Sequence, residues 1–69
     1  MNKYEVIIYW SKEDDAFIAE VPELPNIKTH GDSQMEALRN AQEAISLWIS
    51  IAEEDGIEIP EPKGKSFST

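Results

Sequence analysis

The feature that most constrains the fold is a stretch from Gln34 to about Glu54 that contains neither glycine nor proline. Apolar residues recur along it at the spacing of one face of an α-helix. A helix of roughly 20 residues is about 30 Å long, enough to cross a small sheet and extend beyond it. The apolar positions are Met35, Leu38, Ala41, Ile45, Trp48 and Ala52, with Ala37, Ala44 and Ile51 widening the stripe.

Both ends of this helix carry sequence signals. Ser33 and Glu36 have the spacing of a capping box, in which the two side chains satisfy amides of the first turn, and Asp32 is an alternative cap. Gly56 follows the stripe, where helices commonly end in a left-handed residue. Gly31 can take a positive φ where the preceding strand ends.

Three extended segments precede the helix. Residues 4–10 and 16–21 alternate in polarity and predict an antiparallel hairpin around the polar turn 11–15, and residues 27–30 predict a shorter third strand. The first segment has an apolar face and a second face that is partly apolar. The apolar face holds Tyr4, Val6, Ile8 and Trp10, and the other holds Glu5, Ile7 and Tyr9.

These elements predict an α+β fold, with an antiparallel sheet of three strands and one long helix packed on one face, in the order β-β-β-α. Residues 57–59 form either a short fourth strand or an extended tether. We expect one domain over residues 1–62 and a partly mobile tail over residues 63–69, which includes Phe67. A domain this small gains marginal stability from its own core, and with no cysteine for a disulfide, association is the natural remaining source.

Charge narrows the choice of partner. Fourteen acidic and six basic residues give a formal charge of -8, which repels nucleic-acid phosphate and anionic membranes and suits a basic protein partner. The alternative is that the charge serves solubility alone. No apolar run is long enough for a membrane span and no secretory signal is evident, so we expect a cytoplasmic protein that binds neither membrane nor nucleic acid directly.

Candidate chemistry is sparse. The chain has no cysteine, and its single histidine, His30, does not form a recognisable nucleophile–base pattern with a serine. We therefore expect no catalytic residue. A metal-dependent nuclease would need several carboxylates to converge, and nothing in the spacing indicates that they do, so we expect no metal or other cofactor. The carboxylates considered are Asp14, Asp15, Glu20, Glu23 and Asp32.

A partner surface is the remaining hypothesis. Trp48 falls within the helix stripe, whereas Trp10 ends a strand beside a polar turn and is expected to be partly exposed. The helix ends in three acidic residues, 53–55, whose charges interact unfavourably with the helix dipole. This placement is compatible with contact to a basic partner, and an ordinary solvated helix end explains it as well. The residues considered for partner binding are Trp10, Asp14, Asp15, Glu20, Glu23 and Asn26.

The order and spacing of these pieces over residues 3–62 resemble the HicB-like antitoxins of type II toxin-antitoxin systems, also known as the UPF0150-type domain. The family's Pro-x-Leu-Pro-Gly pattern falls here on its first four positions, and its Gly-Asp-Ser step follows before the start of the helix. The matching residues are Pro22, Leu24, Pro25, Gly31, Asp32, Ser33, Glu36 and Ala37, together with Leu38 and the Glu43-Ala44-Ile45 step.

This resemblance implies a truncated ribonuclease-H-like fold without nuclease activity, and a partner that is a small basic HicA-like toxin, which resembles a double-stranded-RNA-binding domain and cleaves mRNA using a histidine. Two departures stand out. Asn26 replaces the glycine of the loop pattern, at a backbone position that asparagine tolerates better than most residues. The chain also ends before the DNA-binding segment that many members carry.

The leading hypothesis is therefore a non-catalytic antitoxin-type binding module, which would meet the toxin through acidic loops and an exposed sheet edge. One alternative is a solitary homo-oligomeric structural or regulatory domain that has no toxin and binds no DNA. The other is a metal-dependent nuclease on a ribonuclease-H-like sheet. Under either of the first two hypotheses we expect a homo-oligomer, a dimer or larger.

Overall fold

A computed structural model describes residues 3–64 and confirms the predicted α+β architecture. Strands β1 (Ile7–Ser11), β2 (Ala16–Glu20) and β3 (Lys28–Gly31) form one antiparallel sheet in the order β1-β2-β3. Helix α1 (Gln34–Asp55) follows. Residues 57–59 are not a strand, so in the described part of the chain the sheet has three strands. Phe67 and the end of the tail lie outside the described residues.

The predicted caps close both ends of α1. Ser33 is the N-cap and its hydroxyl oxygen accepts from the Glu36 N–H at 3.0 Å. The Glu36 carboxylate returns to the N–H of Asp32 at 2.6 Å, one residue earlier than a standard capping box. Gly56 ends the helix in the left-handed conformation, with φ 68°. The Ile57 N–H then bonds to the carbonyl of Ala52 at 2.9 Å, which satisfies one of the last free acceptors of the helix.

Gly31 does not adopt the positive φ that glycine allows there, because the described glycines with positive φ are Gly56 and Gly64. Gly31 is the last residue of β3 and is buried against the first turn of α1. A Cβ added there would lie 2.3 Å from the backbone nitrogen of Ala37, closer than any real contact allows. Glycine is therefore required because helix and strand backbones approach closely, and not because the turn needs a left-handed residue.

The core lies between the sheet and the helix. The predicted apolar face of the first segment does face α1, with Tyr4 in the core and Val6 and Ile8 packed against it. Trp48 is half-buried against the same cluster. The buried core cluster consists of Tyr4, Ala19, Val21, Leu24, Ile27, Ala37, Ala41 and Ile45.

The helix covers the sheet unevenly, since it packs closely on β3, less on β2 and least on β1. Two positions of the predicted helix stripe lie outside the core. Met35 is 74% exposed and Ile51 is 48% exposed. The largest side chains that are fully buried are Ile18, Ile45 and Val21, so no aromatic ring is among them. The described domain therefore has a small core and keeps much of its aromatic surface near solvent.

Candidate partner-binding surfaces

One end of the sheet brings together three of the predicted partner-binding residues. Trp10 lies near the end of β1, and Asp14 and Asp15 lie in the turn that follows it. The Trp10 ring packs edge-on against Phe17 at a centroid distance of 5.1 Å and remains 48% exposed, as expected. An exposed aromatic ring beside two exposed carboxylates is chemically suited to a basic protein surface.

The turn has a defined shape. The Asp14 carboxylate accepts from the Ser11 hydroxyl at 3.0 Å, and the Asp14 N–H donates back to the same hydroxyl oxygen at 3.3 Å. Asp15 takes the left-handed conformation with φ 51°, which aspartate tolerates better than most residues. These contacts order the backbone, so the two carboxylates are presented on a fixed turn.

The opposite end of the sheet carries the connection between β2 and β3, residues 21–27, with its two prolines. Its backbone closes through a bond from the Val21 N–H to the Ile27 carbonyl at 3.1 Å and another from the Leu24 N–H to the Val21 carbonyl at 3.2 Å. Leu24 points into the core, whereas Pro22 and Pro25 are exposed. The Pro-x-Leu-Pro motif is thus a folded loop that inserts one leucine between sheet and helix.

Asn26 adopts the left-handed conformation where the related loop pattern has glycine. Its φ is 60°, in the region that favours glycine and that asparagine also visits. With Glu20 and Lys28, Asn26 lines a shallow depression beside the loop. Two of the predicted partner-binding residues, Glu20 and Asn26, therefore share one surface.

Glu20 is partly engaged on the sheet. It stands opposite Ile7 of β1 and Lys28 of β3, and its carboxylate accepts a hydrogen bond from the Tyr9 hydroxyl. That bond, more than burial or nearby charge, raises the pKa of the Tyr9 phenol above its ordinary value. The outer sheet face therefore carries a polar contact between Tyr9 and Glu20 beside the apolar side chain of Ile7.

Glu23 has a structural role that its sequence position did not reveal. One carboxylate oxygen accepts from the Glu5 N–H at 2.9 Å and the other from the Lys63 N–H at 2.8 Å. The bond from Glu5 and then that from Lys63 lower the pKa of this carboxyl group. The Tyr4 hydroxyl also donates to the Pro60 carbonyl. Glu23 is half-buried and bridges the segment before β1 to the segment after α1.

The predicted partner-binding residues thus fall into two groups at opposite ends of the sheet. Strand β2, five residues long, separates the hairpin turn from the β2–β3 loop by about 16 Å at 3.3 Å per residue. Trp10, Asp14 and Asp15 form one group, and Glu20, Glu23 and Asn26 the other. A partner site that included both groups would have to span the length of the sheet.

His30 lies exposed on β3, opposite Ile18. Within residues 3–64, no three histidine, aspartate or glutamate side chains come together in a way that could hold a metal ion. Across the same residues, no helix combines the length and apolarity needed to cross a membrane.

Sequence reasoning named no apolar residue of the outer sheet face for partner binding, although apolar side chains are exposed there. Ile7 and Tyr9 lie on the sheet face away from the helix, and they are 45% and 38% exposed. Leu47 on α1 is 63% exposed. The partly apolar second face of the first segment was the available signal, because a strand covered on one side only would normally alternate with polar residues.

Comparison with known proteins gives a family match over nearly the whole chain. The family model described as the HicB_like antitoxin of bacterial toxin-antitoxin system matches residues 4–66. The chain is 35% identical over 66 residues to the UPF0150 protein Ta0767 of Thermoplasma acidophilum, covering 96% of this chain and 94% of that protein.

A second relative is longer than this chain. A 14.9 kDa protein from the rep-hol intergenic region of Haemophilus phage HP1 is 41% identical over 49 residues, or 71% of this chain. The match spans 37% of the phage protein's length. No solved structure matches the chain significantly.

Proposed function

Because the chain belongs to the HicB-like antitoxin family, we propose that it is a non-catalytic antitoxin module that binds and neutralises a small basic HicA-like mRNA-cleaving toxin in the cytoplasm. The observation that carries the proposal is the family match over residues 4–66. The matched motif residues have roles in the fold that support it: Leu24 fills the core, Gly31 admits the helix and Ser33 caps it.

Charge supports the choice of a basic partner. The chain carries a formal charge of -8, and complementary potentials speed encounter and disfavour wrong partners. The surface we assign to the toxin consists of Trp10, Asp14 and Asp15, hereafter the turn surface. It combines an exposed ring with two exposed carboxylates on an ordered turn, whereas Glu23 at the other end is already engaged by two backbone amides.

The test of the function uses the full chain and a purified basic HicA-type toxin. We expect a stable complex in size-exclusion chromatography with light scattering, and loss of RNA cleavage as the chain is titrated to stoichiometry. An unrelated acidic protein of similar size and charge serves as the control. The absence of a complex together with undiminished RNA cleavage would contradict the proposal.

The turn surface is tested with a charge-matched pair of variants. Asp14→Asn with Asp15→Asn removes two charges and keeps side chains that suit the turn. Glu53→Gln with Glu54→Gln removes two charges from the C-terminal end of α1, a helix about 33 Å long at 1.5 Å per residue. We expect the first pair to slow association with the toxin markedly at low salt and the second to have little effect. Equal effects would show that net charge, and not the turn surface, directs the encounter.

A second candidate function is a solitary domain that associates only with itself. The apolar edge of β1 favours it, because an exposed hydrophobic strand edge calls for a covering partner. If the chain forms oligomers but binds no basic toxin in the experiment above, this second function replaces the first.

A further inference from the structure

The exposed side of helix α1 is divided into a polar flank and an apolar flank. Gln42, Ser46 and Ser50 are exposed on the polar flank, at the spacing of one helical face. On the other flank, Leu47 is 63% exposed and Ile51, one turn later, is 48% exposed. Two adjacent apolar side chains are therefore open to solvent on a helix surface that is otherwise polar.

Carboxylates frame this apolar pair at both ends. Glu43 lies four residues before Leu47, and Glu54 lies three residues after Ile51, so the four side chains follow one line along the helix surface. All four residues are exposed. The line is about 17 Å long at 1.5 Å per residue, or three helical turns. Glu43, Leu47, Ile51 and Glu54 are hereafter the α1 row.

Most of the net charge of the chain lies around the α1 row. Residues 40–62 contain six acidic residues and no lysine, arginine or histidine, so they contribute -6 to the formal charge of -8. The rest of the chain holds the other eight acidic and all six basic residues, a net charge of -2. The last turn of α1 also has no basic residue, so its carboxylates add to the negative end of the helix dipole. A cation bound at this end of the helix is attracted by the carboxylates and by the dipole together.

We propose that the α1 row binds a cationic amphipathic helix of a partner protein. Its apolar side chains would pack on Leu47 and Ile51, and its lysine or arginine side chains would pair with Glu43 and Glu54. Anchors three or four residues apart are the spacing by which amphipathic helices bind, and that spacing matches the α1 row. A second copy of this chain is disfavoured there because it brings like charges together, and anionic membranes and nucleic acids are disfavoured for the same reason.

The α1 row lies away from the turn surface. Gly31, just before α1, pairs with Phe17 beside the hairpin turn, whereas the segment after α1 reaches the β2–β3 loop, where the Lys63 N–H donates to Glu23. Helix α1 therefore begins at the turn end of the sheet and ends at the loop end. A partner on its C-terminal half leaves the turn surface open. This inference goes beyond the antitoxin role, and its test needs no toxin.

The probe is a synthetic peptide of about 14 residues, or about 21 Å as a helix, with leucine on one face and lysine on both borders of that face. The control peptide has the same composition in an order that spreads leucine and lysine evenly around the helix. A contact of three turns stays below the about 800 Å² per partner of a standard interface, so we expect a Kd in the micromolar range that rises with salt.

Isothermal titration calorimetry on the full chain compares the two peptides. We expect the amphipathic peptide to bind at least about tenfold more tightly than the control peptide, because only the first aligns apolar and cationic side chains with the α1 row. Equal affinities would overturn the proposal, since they would show attraction by net charge alone. No binding of the amphipathic peptide to the wild type would overturn it as well.

Two pairs of variants test the apolar contact. Leu47→Gln with Ile51→Gln removes the apolar pair, and Ser46→Gln with Ser50→Gln changes the polar flank of the same helix. We expect the first pair to raise the Kd of the amphipathic peptide by about tenfold and the second to leave it unchanged. Equal effects would contradict the proposal. Circular dichroism checks folding, and if the first pair does not fold, Leu47→Gln alone, at the more exposed position, should raise the Kd by about threefold.

Two further pairs test the charges at opposite ends of the domain. Glu43→Gln with Glu54→Gln should raise the peptide Kd by about fivefold at low salt, whereas Asp14→Asn with Asp15→Asn should change it little. Amide shifts in NMR spectra of the full chain should respond to the peptide mainly over residues 43–57. Shifts centred on β1 or on the turn surface would refute the proposal. Because no toxin is used, failure here leaves the antitoxin function standing, and failure of that function leaves this result unaffected.

Discussion

At the β3 edge of the sheet, the helix holds the strand closely, whereas at the β1 edge it barely reaches. Strand β3 is four residues long and polar, and the first turn of α1 lies directly on Gly31. The Asn40 side-chain amide donates to the His30 carbonyl at 2.7 Å, and the Thr29 hydroxyl donates to the Ala37 carbonyl at 3.0 Å. Strand β1 is longer, apolar and exposed on both faces.

Chain connectivity explains the difference. Only Asp32 and Ser33 separate β3 from α1, so the helix must begin above the strand it follows. The helix then covers its nearest neighbours first, and β1, two strands away, receives the least coverage. One edge is consequently covered by contacts within the chain, and the other is left exposed. In a small domain, the lateral position of one helix therefore decides which sheet edge stays apolar and open.

The largest expected effect comes from breaking the close approach at β3. Gly31→Ala places a Cβ 2.3 Å from the Ala37 nitrogen, where backbone, and not a flexible side chain, must move. We expect a loss of about 3 kcal/mol or more, at the upper end of typical overpacking costs. A chain of this size has a total stability of only about 3 to 10 kcal/mol, so the variant should be largely unfolded in urea titrations followed by circular dichroism.

Gly56→Ala is the matched control for that experiment. Its Cβ would meet nothing within 4 Å, but its φ of 68° is unfavourable for alanine. We expect a cost of about 1 kcal/mol from the left-handed backbone alone. If the two variants lose equal stability, the close contact between β3 and α1 is not what requires Gly31.

Gly31 also shows where sequence reasoning succeeds and fails. The hairpin, the third strand, the helix and its Ser33 cap could all be predicted, because they depend on local periodicity and capping chemistry. The role of Gly31 could not, since a strand-end glycine before a helix fits a turn equally well. The contact that requires it joins residues whose separation in space depends on how the helix docks.

The candidate partner-binding residues also divide into those that local sequence predicted and those that it did not. Exposure of Trp10 and the left-handed backbone of Asn26 were predictable from residue type and local pattern. The bridging contacts of Glu23 were not, because its partners Glu5 and Lys63 lie 18 and 40 residues away in sequence. Exposure of Ile51 was also missed, since periodicity gives the width of an apolar stripe but not the position of the sheet beneath it.

A smaller effect is expected from the polar contact on β3. Asn40→Ala removes the amide that donates to the His30 carbonyl, and we expect a loss of about 1 kcal/mol, the usual net value of one hydrogen bond. Gln42→Ala, an exposed amide on the same helix, is the control and should be neutral or slightly stabilising because alanine favours helix. Thermal unfolding measures both. If Asn40→Ala and Gln42→Ala changed the free energy of unfolding equally, the hydrogen bond from Asn40 to the His30 carbonyl would contribute nothing to stability.

The segment leading into β1 supplies a pH-dependent prediction. The carboxyl pKa of Glu23 is lowered in the folded state, chiefly by the N–H of Glu5 and then by that of Lys63. Its contribution to stability is therefore present above the unfolded value of about 4.3 and is lost as pH falls through the lower folded value. We expect Glu23→Gln to lower stability at pH 7 and to match the wild type more closely near pH 3.

The control for this measurement is Glu53→Gln on the exposed end of α1. Melting temperatures between pH 7 and pH 3 should show a difference from wild type that shrinks on acidification for Glu23→Gln only. The effect should be smaller than that of Asn40→Ala, because the Glu23 bridge is accessible to solvent and hence screened. A difference that stays constant over this range would mean that ionised Glu23 does not hold the segment before β1.

The smallest effect is expected from glycine at the two connections of the sheet, each of which holds a non-glycine residue in the left-handed region. Asp15 has φ 51° beside β1, and Asn26 has φ 60° before β3. Asn26→Gly relieves backbone strain but frees the unfolded chain, so we expect a net gain of at most about 0.5 kcal/mol, whereas Asn26→Ala should lose about 1 kcal/mol. Urea titration of both, with Asp15→Gly and Asp15→Ala as the matched pair, measures the order. If alanine is tolerated as well as glycine at either position, that connection relaxes on substitution and the fold does not hold its backbone in the left-handed region.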